Sequence, residues 1–103
     1  MGLRVVGLGL ALLGLWGCEK AIGDDCGSDL ECGQSRICDR SSKDGYCTVS
    51  PCDARSCPEE STCVEFDDGS TWCMAVCGGD GDCRDGYQCD KEAAAVGFCR
   101  QRP

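Results

Sequence analysis

Thirteen cysteines and no histidine set the chemistry open to this 103-residue chain. Without histidine, neither a Ser/His/Asp triad nor a Cys/His dyad can be assembled. Acidic pairs stand at Asp24-Asp25, Glu59-Glu60 and Asp67-Asp68. Glycosidase-type work needs two acids facing each other across a cleft, and so small a chain offers little pocket volume. Adjacent acids read better as solvated surface. No C-x-x-C occurs, so thioredoxin-like exchange has no support. Nor do the cysteine gaps match the closely paired ligands of zinc sites.

Calcium is the ligand most worth weighing. Gly79–Gly86 carries Asp80, Asp82 and Asp85 in a glycine-rich turn. An EF-hand loop needs acids at alternate positions and then a distant Glu. Asp80 and Asp82 fit, Asp85 comes one residue late, and Cys83 interrupts. A surface turn is the better reading. The expectation is therefore a protein that is not an enzyme, with no metal and no cofactor.

The cysteines then read as cross-links. Thirteen in 103 residues exceeds the level that marks a disulfide scaffold in a short secreted chain. Behind Cys18 the Leu, Ile, Val and Phe residues number nine: Ile22, Leu30, Ile37, Val49, Val64, Phe66, Val76, Val96 and Phe98. Such a set cannot offset backbone ordering at roughly 1–2 kcal/mol per residue. Bridges, at about 2–4 kcal/mol each, must supply much of the stability. Unstapled, the composition reads as disordered.

The elements that position these cysteines repeat. Cys26, Cys32, Cys38 and Cys47 form a first block, 26–47. Cys52, Cys57, Cys63 and Cys73 form a second, 52–73. Cys77, Cys83, Cys89 and Cys99 form a third, 77–99, giving a period of 25 or 26 residues. Three near-copies of one spacing indicate tandem units. An aromatic precedes the last Cys of each: Tyr46, Trp72 and Phe98. Gly45 and Gly97 precede two of these, and Asp68-Gly69 supplies the matching turn in the middle block. Each block reads as two short loops followed by a minimal β-hairpin, with the aromatic packed on the cystines. The expected fold class is small and disulfide-rich, with three four-Cys repeats and little helix. Only Asp90–Val96, containing Ala93-Ala94-Ala95, has good helix formers, and one or two turns is the most it could make. Short linkers at Thr48–Pro51 and Met74–Val76 predict units stacked as a rod.

The N-terminus has a different character. Arg4 precedes an apolar run from Val5 to Gly17, too short for a bilayer span at about 20 residues but suited to a signal peptide over 1–17. Leu15-Trp16-Gly17-Cys18 resembles the bacterial lipobox, with Trp16 departing from the small or β-branched residue usual at its position. The resemblance implies lipidation of Cys18. Parity agrees, since removing Cys18 leaves twelve cysteines. Glu19, where the resemblance would put Asp as an inner-membrane retention signal, implies the outer membrane, on its periplasmic face or at the cell surface. Residues 18–25 read as the lipidated Cys and a polar tether.

The middle block, CDARSCPEESTCVEFDDGSTWC, resembles the first four cysteines of an EGF-like module. Cys77 follows Cys73 at a longer interval than such modules use. The third block, with DCRDGYQC, resembles short cysteine-rich repeats of lipoproteins from predatory and fruiting soil bacteria. Four cysteines permit three connectivities. The EGF-like resemblance implies first-to-third and second-to-fourth bonding in every block. Those pairs are Cys26–Cys38, Cys32–Cys47, Cys52–Cys63, Cys57–Cys73, Cys77–Cys89 and Cys83–Cys99.

Charge narrows the partners. Behind Cys18 stand 18 acids and nine bases, a net −9, so nucleic acid is a poor partner. The function expected is an envelope-tethered interaction or adhesion module, held to the membrane by its lipid and facing a protein or glycan ligand. The alternatives are a cystine-rich protease inhibitor and a structural spacer. An inhibitor would present Asp53–Ser56 or Asp39–Gly45, where Arg40, Lys43 or Arg55 could enter a trypsin-like pocket.

Overall fold

The computed structural model describes residues 20–103. The signal segment and Cys18 lie outside the described residues. The fold is small and disulfide-rich, built from short antiparallel two-stranded sheets. The strands are β1 (Ile37–Cys38), β2 (Cys47–Thr48), β3 (Ser61–Glu65), β4 (Thr71–Ala75), β5 (Tyr87–Asp90) and β6 (Phe98–Gln101). They pair β1 with β2, β3 with β4 and β5 with β6. Among the described residues, helix is confined to one turn, α1 (Asp29–Cys32), and a 3-10 turn at Asp80–Asp82.

One registration recurs. Cys38 faces Cys47, Cys63 faces Cys73, and Cys89 faces Cys99 across their hairpins. These facing cysteines do not bond to each other. Each reaches back to the loop before its hairpin, giving Cys26–Cys38, Cys32–Cys47, Cys52–Cys63, Cys57–Cys73, Cys77–Cys89 and Cys83–Cys99. Every bridge spans a Cα–Cα distance between 5.4 and 6.0 Å. Two cystines thus clamp one loop to one hairpin, a geometry a two-stranded ribbon needs because alone it is marginal in water.

Acids do local work throughout. In the first block, the Asp29 carboxylate accepts the Cys38 N–H at 2.8 Å and Glu31 accepts from Gly27 at 3.3 Å. In the third, Asp80 accepts from Cys89 at 2.9 Å and Asp82 from Gly78 at 2.8 Å. The same pair of contacts is built twice from residues at matching offsets. The hairpin turns also open on an Asp. Asp39 receives the Ser41 N–H at 3.0 Å, Asp68 that of Ser70 at 2.9 Å, and Asp90 that of Glu92 at 2.9 Å. Short acidic side chains that fold back on the next amides nucleate turns.

Three expectations are corrected. Asp90–Val96 holds no helix: Asp90 ends β5, and residues 92–96 form bends. Asp90 and Phe98 are register partners, so the loop between them must reverse direction instead of advancing along a helical axis. Lys20–Asp25 is not a loose tether: Ile22 is buried at 3% exposure, and the Gly23 N–H donates to the Cys47 carbonyl at 2.8 Å. The units do not stack as a rod either. The first touches the second through Thr48, whose hydroxyl donates to the Cys73 carbonyl at 2.7 Å. The second touches the third through Val76, bridged to Phe98. The third returns to the first, where the Lys43 N–H donates to Gln101 Oε1 at 2.9 Å. Each unit therefore packs on both others, which a rod forbids.

The recurring glycine has a steric cause. Gly45 lies at φ +77°, and a Cβ there would fall 2.1 Å from the Cys26 carbonyl oxygen. At the matching place, a Cβ on Gly97 would fall 2.7 Å from the Cys77 carbonyl oxygen. In both blocks the second strand enters against the backbone of the first cysteine. Thr71 takes the corresponding place in the middle block, and its hydroxyl accepts the Cys52 N–H at 2.9 Å. Gly45→Ala should therefore destabilise the oxidised domain by at least the ~1–2 kcal/mol of a left-handed non-glycine residue, and Gly97→Ala should destabilise it by clash. Gly81→Ala, whose Cβ meets open space, should leave the denaturant midpoint unchanged. Equal midpoints for all three variants would refute this account.

Candidate functional site

The three units meet at two tyrosines and an arginine. Tyr46, just ahead of β2, is 2% exposed. Its hydroxyl accepts the Ala75 N–H at 2.9 Å and donates to the Cys99 carbonyl at 3.0 Å. One phenol thus joins β4 to β6. Tyr87, on β5, is equally buried and lies 5.6 Å from the Tyr46 ring between centroids. The Arg84 guanidinium sits 4.3 Å from the Tyr87 ring centroid, within cation–π range. Arg84 Nε donates to the Gly23 carbonyl at 2.9 Å, and Nη2 donates to the Gly45 carbonyl and the Tyr87 hydroxyl. Tyr87 in turn donates to the Lys43 carbonyl at 2.8 Å. These contacts fasten the third unit to the first without a covalent bond between them.

Beside this junction lies a groove of about 190 Å³, lined by residues of all three units. Phe66, Trp72 and Met74 give it apolar surface, and Asp39, Arg100 and Gln101 give it polar groups. Trp72 is half-buried, and its indole N–H is taken by Ser70 Oγ at 2.9 Å. What remains for a ligand is the ring itself. Arg100 stands over the edge-to-face pair Phe66–Phe98, 5.8 and 5.9 Å from their centroids. The Arg100 guanidinium is fixed by Asp90 at 2.7 Å. That guanidinium, with the amides of Glu92 and Ala93, holds the Asp90 carboxyl below the usual carboxylate range. The volume is below the roughly 300 Å³ of a drug-sized pocket. It suits one sugar ring or one peptide side chain.

The residues singled out from the sequence fall elsewhere. Asp80 and Asp82 spend their carboxylates on backbone amides, as described above, and Asp82 also receives the Gly79 N–H at 3.2 Å. Asp80 Oδ1 and Asp82 Oδ2 are thereby engaged with backbone of their own unit. Asp53–Ser56 is a closed turn, with the Ser56 N–H returning to the Asp53 carbonyl at 3.3 Å and the Arg55 N–H to Asp53 Oδ1 at 2.8 Å. Asp39–Gly45 closes twice, through Ser42 to Asp39 and Gly45 to Ser42. The Lys43 backbone is bonded to Gln101 and Tyr87, although the residue is exposed. Arg40 and Arg55 are exposed, but neither sits on the extended backbone with which a substrate-like loop adds to a partner as a strand.

Of the three aromatics expected to pack, Tyr46 and Phe98 are buried and Trp72 is only half-buried. Tyr46 shares its cluster with Cys73 and Tyr87 of the other units, not with the cystines of its own block. Tyr87, Arg84 and Phe66 were not singled out from the sequence. The tripeptide Asp-Gly-Tyr, present at 44–46 and again at 85–87, was the available signal for Tyr87. No family model, no curated protein and no solved structure matches the chain.

Burial pushes the Tyr46 hydroxyl up to about 12 from the usual 10. Because the folded value is the higher one, the protonated phenol stabilises the fold fully below pH 10. The unfolded chain ionises first above that, so stability should fall as pH rises from 10 toward 12. Phenolate absorbance of the oxidised domain should lag behind that of the reduced, denatured chain over the same range. Tyr46→Phe should cost about 1–3 kcal/mol in urea unfolding, because it leaves the buried Ala75 N–H without an acceptor. Coincident titrations and an unshifted midpoint would remove Tyr46 from its place at the junction.

Proposed function

We propose that the chain is a lipid-anchored, extracytoplasmic interaction module that takes a protein or glycan ligand in the groove between its units. The groove carries the proposal. Phe66, Trp72 and Met74 are apolar surface left uncovered in a chain that has little to spare, and Arg100 is already immobilised beside them. A rigid aromatic face next to fixed polar groups loses little entropy on binding. Six cystines suit an oxidising compartment outside the cytoplasm. The lipobox-like Leu15–Cys18 would supply the anchor, and Glu19 favours the outer membrane. Among the described residues, no helix is long and apolar enough to cross a membrane. The closed turns at Asp53–Ser56 and Asp39–Gly45 rank protease inhibition below ligand binding. A spacer would have no use for an open aromatic groove.

Two measurements test the reading. The intact mass of the exported protein, alkylated without reductant, should show a diacylated chain beginning at Cys18 with no alkylated thiol. An unlipidated chain, or one with several alkylated thiols, would sink the anchor or the scaffold. Immobilised parent domain should then retain a component of envelope extracts or a glycan-array member that Trp72→Ala and Arg100→Ala each retain at least tenfold less. Equal retention by all three proteins would move the ligand off the groove, and no retained ligand would favour the spacer.

A further inference from the structure

We infer that the face formed by Lys20, Arg36 and α1 lies directly on the phospholipid surface, with Leu30 seated at headgroup level. The inference rests on the acylation of Cys18 proposed above and adds an orientation to it. Its first support is the length of chain between anchor and fold. Lys20 is already part of the folded body. Its ammonium donates to the Asp25 carbonyl at 2.8 Å, and its own carbonyl accepts from Arg36 Nη1. The Ala21 N–H is held by Asp24 Oδ2 at 2.9 Å, and the Ile22 N–H by Glu60 Oε2 at 3.1 Å. With Ile22 buried, this entry strand has no slack. Only Glu19 separates Lys20 from Cys18. Two residue steps span at most about 7 Å even when fully extended. The headgroup layer of one leaflet is itself about 5–7 Å deep. A lipidated Cys18 therefore leaves the domain no room to stand off.

A second observation identifies the face that meets the lipid. Leu30 is 92% exposed, against 48% for Val96 and 39% for Val76, the other exposed large apolar residues among those described. It sits on α1 beside Glu31, whose carboxylate lies 3.9 Å from Lys20 Nζ. Leu30, the one leucine among the described residues, thus stands on a turn that adjoins the anchor point. Charge permits the approach. Lys20 is paired with Asp25 and Glu31, and Arg36 lies 3.7 Å from Glu60. With Asp29 on α1, the face carries four acids to two cations, so a zwitterionic lipid surface is the one it can approach without net repulsion.

The test uses the full-length lipidated chain reconstituted into phosphatidylcholine vesicles with and without brominated acyl chains. The mature protein holds one tryptophan, Trp72, which gives the background emission. Leu30→Trp adds a reporter at the proposed contact. Brominated lipid should quench at least half of the added emission. An insertion of about eight Gly/Ser residues between Glu19 and Lys20, with an added reach of roughly 15 Å, should abolish most of that quenching while the protein still floats with the vesicles. If the chain floats but the added emission is quenched no more than in the linker version, the apposed face is wrong and the anchor stands. If the chain fails to float, the anchor itself fails and the inference falls with it.

Discussion

The constraint behind the whole structure is the shortage of apolar surface. A chain with so few large aliphatic and aromatic residues cannot close a core around them. Two cystines per unit replace that core, each tying a loop to the hairpin that follows it. The pairing leaves the third and fourth cysteines facing each other across the ribbon and unbonded to one another. A bond between them would only cross-link strands that the turn already holds together. Bonding back to the loop instead encloses chain that nothing else would restrain. The buried residues show the result, since half the fully enclosed positions are cysteines.

Cystines hold each unit but join no unit to the next. That task falls to polar groups with unusually many uses. Tyr46 bonds two units from a third, and Arg84 reaches the Gly23 carbonyl of the entry segment and the Gly45 carbonyl of the first unit while lying on a tyrosine of its own. The buried hydroxyls and guanidinium are satisfied, since no buried side-chain polar atom among the described residues lacks a partner. Fully paired polar networks specify geometry more sharply than apolar contact does. The same closure creates the groove, because three units packed pairwise leave a concavity where their edges meet. The entry residue Ile22, packed against Tyr46 and Tyr87, then belongs to the same body as the groove.

The acidic composition has a comparable division of labour. Asp29 and Asp80 hold the amide of their block's third cysteine, and Glu31 and Asp82 the amide just after the first. Asp39, Asp68 and Asp90 start the hairpin turns. Asp80 and Asp82 have a ligand-like spacing, yet Asp82 holds the Gly78 and Gly79 amides at the start of its 3-10 turn and Asp80 reaches across to Cys89. Position next to a cysteine was the better guide to their use than mutual spacing.

The sequence by itself determined the local plan. Cysteine periodicity marks three units, Asp and Gly positions mark their turns, and the lack of apolar residues requires cross-links. Each of these depends on neighbours within a few positions, so a linear reading reaches it. The tertiary structure alone decided how the units meet. Tyr46 and Trp72 occupy equivalent places before a fourth cysteine, yet one is buried between units and the other lines a groove. Arg84 looks like any surface arginine until Gly23, Gly45 and Tyr87 converge on it. Ile22 reads as a lone apolar residue in a tether until the Tyr46–Tyr87 cluster covers it. Those outcomes depend on residues about 25 to 65 positions apart, brought together by inter-unit hydrogen bonds that carry no periodic trace in the sequence.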